Sequence, residues 1–180
     1  MKTLTLLRHA KSSWDDAVQR DFDRPLNAKG RRAAAVVGRH LRGENVSFDH
    51  LIASPAVRVA ETLDGFRSGY GDLPEVVEDR RIYLASAEML LEVVQNLPAH
   101  VEAALLVGHN PGLEDLVLCL VPDGAGGGVR DAVEEKYPTA SVTELRFEVN
   151  DWREVGADGA TLTRFVRPRD LDPTLGPDAD

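Results

Sequence analysis

An arginine and a histidine stand side by side near the start of the chain, at Arg8 and His9. A guanidinium group binds phosphoryl oxygens in pairs and neutralises their charge. A neutral imidazole beside it can attack phosphorus and form a transient phosphohistidine. The apolar segment before the pair, residues 3–7, is predicted to be a β-strand, and reactive groups in open parallel sheets gather beyond the carboxyl ends of strands. This placement makes the pair a candidate for phosphoryl transfer.

Two later segments repeat the arrangement. Residues 51–53 are predicted to form a strand, and Ser54-Pro55 matches a helix N-cap followed by proline, which places Arg58 in the first turn of a helix. The apolar run 103–107 has the pattern of a buried central strand and leads into Gly108-His109-Asn110-Pro111-Gly112. Since the carboxyl ends of parallel strands meet in one crevice, two arginines and two imidazoles would surround a volume suited to one phosphoryl group.

Each of these residues also has a purely structural interpretation. Arg58 could be a surface charge at a helix terminus, and His109 could simply fill a turn. The joint occurrence of such groups after three predicted strands favours the catalytic interpretation. No metal or other cofactor is required, because phosphoryl transfer depends mainly on positioning and charge stabilisation.

Composition restricts the class of protein. The chain has 180 residues and 43% hydrophobic content, which suits one domain with a substantial core. Its net charge of -9 argues against a nucleic-acid partner and requires any phosphate site to be a local cluster of positive charge. A single cysteine, Cys119, permits no disulfide framework, and no segment has the length of a signal or membrane span. We therefore expect a cytoplasmic, soluble protein.

The remaining periodicity predicts a three-layer α/β/α sandwich with a mostly parallel central sheet. Its further helices are one over 28–41 capped by Asn27 and one over 113–120. Another helix is capped by Ser86 and has Met89, Leu90, Val93, Val94 and Leu97 on its apolar face. An edge strand over 75–78 and a hairpin of 142–149 with 160–166 complete the sheet. The glycine-rich stretch 123–128 is predicted to be a flexible connection. Residues 1–167 are expected to form the domain and 168–180 a disordered tail.

With these motifs in place, the sequence resembles the histidine phosphatase superfamily, which has the phosphoglycerate mutase-like fold. The resemblance covers residues 3–166 and is closest to bacterial SixA-type phosphohistidine phosphatases. It depends on the motifs Leu7-Arg8-His9-Ala10-Lys11, Asp21-Phe22-Asp23-Arg24-Pro25-Leu26, Ser54-Pro55-Ala56-Val57-Arg58, Gly108-His109-Asn110-Pro111-Gly112 and Lys136-Tyr137-Pro138-Thr139.

The resemblance implies that His9 is the nucleophile and that Arg8, Arg58 and His109 form the phosphate pocket. It also places Arg24 near the mouth of the site, where the side chain would meet an anionic substrate or form a solvated ion pair. Relatives with alcohol leaving groups carry a general acid after the edge strand, and Glu78 and Asp79 are both candidates here. A phosphohistidine needs less help, because its leaving imidazole has a pKa of about 6.5.

The sequence therefore favours a metal-independent phosphatase that acts through a covalent phosphohistidine, with phosphohistidine in a signalling protein as substrate. A small-molecule phosphomonoesterase is the alternative enzyme, since residues 123–137 could form a partial rim over the site. A phosphate-binding module without turnover is less favoured, because binding alone needs arginines but no nucleophile.

Overall fold

Six strands form one sheet in the computed structural model of the protein, which describes residues 1–13 and 20–177. The strands are β1 (Lys2–Arg8), β2 (His50–Ala53), β3 (Val76–Glu78), β4 (Ala103–Gly108), β5 (Val142–Phe147) and β6 (Ala160–Val166). Their order is β3-β2-β4-β1-β5-β6, with parallel pairing from β3 to β1 and antiparallel pairing from β1 to β6. The predicted mostly parallel sheet with a C-terminal antiparallel pair is confirmed.

Helices cover both faces of this sheet. They are α1 (Ala28–Gly43), α2 (Val57–Tyr70), α3 (Ala87–Gln95), α4 (Gly112–Leu120), α5 (Val129–Glu135) and α6 (Pro168–Leu171). Two of the predicted N-caps are confirmed, because the Asn27 side chain accepts from the Gly30 amide and the Ser86 hydroxyl accepts from the Met89 amide. No helix in the described ranges is long and apolar enough to cross a membrane.

Two separate hydrophobic cores show that the sheet is the middle of three layers. Leu4 and Leu6 of β1 pack into the core that contains α3, α4 and α5. Leu7 packs into the core that contains α1 and α2. Strand β4 divides its side chains between the cores in the same alternating way, as expected for a strand buried on both faces. The predicted sandwich is confirmed.

Helices α1 and α2 approach so closely that their contact requires glycine. A Cβ atom on Gly38 would lie 2.2 Å from the carbonyl oxygen of Phe66, and one on Gly69 would lie 2.1 Å from the carbonyl oxygen of Ala35. Neither backbone oxygen can move away as a flexible side chain would. The glycines therefore fix the position of α2, which carries Arg58 in its first turn.

Two helix assignments need correction. Helix α2 begins at Val57 with Ala56 as N-cap, so Ser54 does not cap it. The Ser54 hydroxyl instead accepts from the Ala56 amide at 3.3 Å within the loop. Met89 is predicted to lie on the apolar face of α3, but its side chain is exposed. The other four residues predicted for that face are buried in the core.

Two segments that are predicted to lack regular structure are ordered. Residues 125–128 form a 3₁₀ turn that leads into α5, where a flexible connection was expected. Residues 168–171 form α6 and residues 173–175 form a further 3₁₀ turn, where a disordered tail is predicted. This segment is held because Leu175 is buried against Ala33 and Lys29 donates to the Gly176 carbonyl. Residues 178–180 of the predicted tail lie outside the described residues.

Substitution of Gly38 by alanine tests the close helix contact. We expect Gly38→Ala to lower the free energy of unfolding by about 2 kcal/mol, because the backbone clash outweighs the gain in helix propensity. Gly43→Ala in the same helix is the matched control, since a Cβ there has nothing within 4 Å. Urea unfolding measures both variants, and equal midpoints would show that the contact tolerates a methyl group.

Candidate active site

The register of the parallel strands brings the predicted residues to one edge of the sheet. Arg8 lies opposite Gly108, and the His9 amide donates to the Gly108 carbonyl at 3.0 Å. The Ser54 amide donates to the Val107 carbonyl at 3.1 Å, so the end of β2 lies in the same row. Helix α2 starts three residues later and adds the guanidinium of Arg58. All of these groups therefore face the carboxyl ends of β1, β2 and β4.

These side chains line one cleft of about 380 Å³. The structure brings together all four predicted pocket residues, Arg8, His9, Arg58 and His109, and it adds Arg24 as predicted. The rings of His9 and His109 have centroids 5.3 Å apart. The two histidines and Arg58 are more than nine-tenths buried. The cleft thus combines positive charge and two imidazole rings around one volume.

His9 is held in the form that a nucleophile requires. Its Nδ1 lies 2.7 Å from the carbonyl oxygen of Ala10. A carbonyl oxygen only accepts, so Nδ1 carries the proton and Nε2 keeps its lone pair. Burial, aided by the nearby charges of His109, Arg58 and Arg8, lowers the pKa of His9 from 6.5 to about 3 against the opposing effect of the Ala10 carbonyl.

His109 is oriented through both ring nitrogens. Arg58 donates to Nδ1 at 3.3 Å, which leaves the proton on Nε2, and Nε2 lies 2.8 Å from the hydroxyl of Ser54. Burial and the charges of Arg58 and Arg8 lower the pKa of His109 to about 4, although Asp21 opposes them. Both imidazoles are therefore neutral near pH 7.

The two pocket arginines are anchored through their terminal nitrogens. Arg8 donates to the Tyr137 carbonyl at 2.8 Å, and Arg58 donates to the Asp21 carbonyl at 2.7 Å and to the Asp21 carboxylate at 2.9 Å. The Nε–H groups of both arginines are buried and donate to no atom of the described residues. Two fixed guanidinium groups thus line the cleft, which is the arrangement that a phosphate pocket requires.

Comparison with known proteins identifies the family. Residues 4–83 match the sequence profile of the histidine phosphatase superfamily (branch 1). An uncharacterised protein of Mycobacterium tuberculosis (strain ATCC 25618 / H37Rv) is 32% identical over 164 residues, which cover 91% of this chain and 100% of that protein. The chain belongs to the histidine phosphatase superfamily.

Solved structures place this histidine phosphatase near SixA. A candidate phosphohistidine phosphatase SixA from Nakamurella multipartitia is 28% identical, with a TM-score of 0.79 over 93% of this chain and 96% of that chain. The protein histidine phosphatase SixA complexed with tungstate is 18% identical, with a TM-score of 0.77 over 94% of this chain and 99% of that chain, and shares the fold. The predicted phosphoglycerate mutase-like, SixA-like fold is confirmed, and the protein is a phosphatase that uses histidine.

The candidate general acids do not reach the cleft of this histidine phosphatase. Glu78 is exposed on the edge strand β3, and neither it nor Asp79 lines the cleft. The Asp79 carboxylate caps the following 3₁₀ turn and binds Arg81, whose hydrogen bonds lower the pKa of Asp79. Neither candidate acid is therefore among the residues that line the cleft, although the chain returns to the cleft at Leu84.

Asp21 is the carboxylate that the described residues do place in the cleft. It accepts from the Tyr83 hydroxyl at 2.6 Å, from Arg24 at 3.0 Å and from Arg58 at 2.9 Å. Burial alone would raise the pKa of Asp21, but these three hydrogen bonds outweigh it and hold the pKa well below its usual range. Asp21 therefore stays ionised and positions the arginines, and Arg24 forms the ion pair that was one of its two predicted roles.

Sequence reasoning missed three positioning residues. Ser54 orients His109, Tyr83 binds Asp21 and meets the His109 ring edge-on, and the Thr62 hydroxyl accepts from the Ala10 amide at 2.8 Å. Ser54 carried a signal, since it directly follows a strand that ends at the site, but its proximity to proline favoured a cap. The other two lie within a helix and after a turn, where no local pattern marks them.

Residues 123–137 do not form a rim over the cleft. Helix α5 and the turn before it pack on α4 and β6, and no residue of 123–137 lines the cleft. Within 1–13 and 20–177, no three His, Cys, Asp or Glu side chains are grouped so that they could hold a metal ion.

An NMR titration tests the protonation state of the nucleophile. We expect the His9 ring to remain neutral from pH 8 down to pH 5, because burial lowers its pKa to about 3. The same resonance in urea-unfolded protein is the reference and should titrate near pH 6.5. A charged His9 ring at pH 7.5 in the folded protein would contradict the assignment.

Substitution of Ser54 tests the orientation of His109. We expect Ser54→Ala to reduce kcat/KM about fivefold, because it removes one hydrogen bond worth about 1 kcal/mol from a ring that must be correctly placed. The ¹⁵N shifts of His109 should show a changed tautomer population. Ser86→Ala, which removes the cap of α3, should lower stability by about 1 kcal/mol without changing kcat/KM. Unchanged kcat/KM and tautomer in Ser54→Ala would exclude a positioning role.

Proposed function

We propose that this protein is a phosphohistidine phosphatase that acts on phosphohistidine in proteins through a covalent phosphohistidine of its own. The observation that carries the proposal is the neutral, buried His9, whose Nε2 lone pair stands in one cleft with two anchored guanidinium groups. A binding site for phosphate would need the arginines but not a histidine held in its nucleophilic tautomer. The arrangement therefore supports turnover.

The reaction has two steps in this proposal. Arg8 and Arg58 bind the phosphoryl oxygens, and His9 Nε2 attacks phosphorus while the phosphorus–nitrogen bond to the substrate imidazole breaks. The substrate ring, protonated at its other nitrogen, leaves as neutral imidazole. Water then attacks phosphorus, the bond to His9 breaks, one proton goes to solvent, and inorganic phosphate and neutral His9 are restored. His109 accepts from Arg58 through Nδ1 and so helps to hold that guanidinium beside the transferring group.

The choice of leaving group follows from the ionised state of Asp21. An alkoxide leaving group needs a proton in the transition state, and a carboxylate held below its usual pKa is a poor donor. A protonated phosphohistidine brings its own proton, and its imidazole has a pKa of about 6.5. The site is therefore better suited to a phosphoramidate than to an alkyl phosphate.

The surroundings of the cleft support a protein as the carrier of the phosphoryl group. Helix α5 and the turn before it pack on α4 and β6, and no residue of 123–137 lines the cleft. The neighbour from Nakamurella multipartitia, which bears the name phosphohistidine phosphatase, shares 93% of this chain in the same fold. A histidine-phosphorylated signalling protein fits such a site.

A labelling experiment tests the proposal. Wild-type protein incubated with a ³²P-labelled phosphohistidine protein should form an acid-labile, base-stable phosphoenzyme, and His9→Ala should form none. The control is His50→Ala, which changes a histidine on β2 that does not line the cleft. A phosphoenzyme that persists in His9→Ala would overturn the assignment of the nucleophile.

The same protein preparation distinguishes the substrate classes. We expect kcat/KM for a phosphohistidine peptide to exceed that for an alkyl phosphate by at least about 100-fold, the range of one missing general acid. Faster turnover of sugar phosphates would favour the small-molecule phosphomonoesterase. Stoichiometric phosphate binding without turnover of either class would favour the binding module.

A further inference from the structure

A second cleft of about 200 Å³ lies beside the catalytic cleft. Its cationic side chains are those of Lys11, Lys29, Lys136 and Arg169, and we call it the basic cleft. Lys11 and Thr139 line both clefts, so the two share a wall. A ligand whose phosphoryl group is bound in the catalytic cleft could therefore extend directly into the basic cleft.

The basic cleft is a built part of the fold. The segment after β6 forms its outer wall, where Leu175 is buried and the Lys29 ammonium donates to the Gly176 carbonyl. Its inner wall depends on Gly30, because a Cβ atom there would lie 2.2 Å from the Lys11 carbonyl oxygen. The N-terminus of α1 thus packs directly on the chain that leaves the catalytic histidine.

The charge of the basic cleft is opposite to that of the chain. The protein has a net charge of -9, yet four cationic side chains gather here. Lys136 and Arg169 form no ion pair with any residue in 1–13 or 20–177. An anionic ligand in the basic cleft would be attracted by the charges of both Lys136 and Arg169.

The walls between these charges are apolar, with Ala33, Pro138 and Leu175 among them. A small polyphosphate would find no partner for such walls, whereas a polypeptide that alternates acidic and apolar side chains would satisfy both parts. We infer that the basic cleft binds an acidic, partly apolar segment of the substrate protein next to its phosphorylated histidine. This inference rests on the proposed function for the identity of the phosphorylated residue.

A binding experiment tests the basic cleft without turnover. Fluorescence anisotropy with labelled, unphosphorylated peptides compares a Glu-Leu repeat with a Gln-Leu repeat on the full-length protein. We expect the Lys136→Glu, Arg169→Glu double variant to raise the Kd of the Glu-Leu peptide about tenfold or more, since two surface charges are reversed. Added salt should also raise the Kd of the Glu-Leu peptide for the wild-type protein, because salt screens the charges.

The matched control reverses two arginines far from the basic cleft. Arg39 lies about 15 Å along α1 from Lys29, at 1.5 Å per residue. Arg146 lies opposite Thr3, at the far end of β1 from Arg8. Both are exposed, so the Arg39→Glu, Arg146→Glu variant changes the net charge equally and should leave the Kd within about twofold.

Turnover provides a second readout. The Lys136→Glu, Arg169→Glu variant should lose about tenfold in kcat/KM for a Glu-Leu-flanked phosphohistidine peptide. Its kcat/KM for phosphoramidate should match that of the wild type, because neither residue lines the catalytic cleft.

Equal binding of the Glu-Leu and Gln-Leu peptides, or an unchanged Kd in the Lys136→Glu, Arg169→Glu variant, would overturn the inference. Binding of inorganic diphosphate that needs Lys136 and Arg169, without binding of the peptide, would also overturn it. If the wild type turned over neither phosphoramidate nor phosphohistidine peptides, the proposed function would fail. The anisotropy measurement would still test whether the basic cleft binds the acidic peptide, because it requires no turnover.

Discussion

The active site depends on the register between β1 and β4. Arg8 stands opposite Gly108, and the His9 amide donates to the Gly108 carbonyl, so the two histidines follow paired residues of neighbouring strands. A slip of one residue would exchange the faces of Leu6 and Leu7, which belong to separate cores. The two hydrophobic cores therefore fix the register that positions the catalytic groups, although none of the core side chains takes part in chemistry. Close packing at Gly108, where a Cβ would lie 3.0 Å from Ile82, leaves little room for another register.

Burial of four basic side chains in one place costs free energy, and the same burial gives the histidines the pKa values that the site requires. The guanidinium groups stay charged and are compensated by backbone carbonyls and by Asp21. The imidazoles respond by losing their protons, which is why the pKa values of His9 and His109 fall to about 3 and 4. The unfolded chain binds protons at these rings near pH 6.5 while the folded chain does not, so their cost to stability is absent above that pH and grows as the pH falls below it. The same burial that destabilises the acidic form supplies the neutral nucleophile.

Much of this arrangement is local enough to be predicted from sequence. The strands before His9 and His109 are continuous apolar runs, and the parallel topology that such runs imply is sufficient to bring their ends together. Ser54 illustrates the limit of local pattern, because the same Ser-Pro pair that fits a helix cap can serve as a loop whose hydroxyl orients a distant ring. The position of Asp79 was equally hidden, since no sequence pattern shows that its carboxylate binds Arg81. The segment after residue 167 is polar and proline-rich, and it is ordered by single anchors, Leu175 and Lys29, that composition does not reveal.

The arginines show how the pocket is prepared before any anion enters. Arg8 and Arg58 are tied to the backbone carbonyls of Tyr137 and Asp21 through their terminal nitrogens. The two guanidinium groups are therefore already in position when an anion enters, which limits the reorganisation needed during reaction. Among the described residues the catalytic cleft is lined by four cationic side chains and one carboxylate, within a chain of net charge -9. Long-range repulsion from the acidic surface weakens the approach of extended polyanions such as nucleic acids, whereas one phosphoryl group placed inside the cleft experiences the local positive charge. Selectivity for a single phosphoryl group thus follows from the contrast between the whole surface and one small part of it.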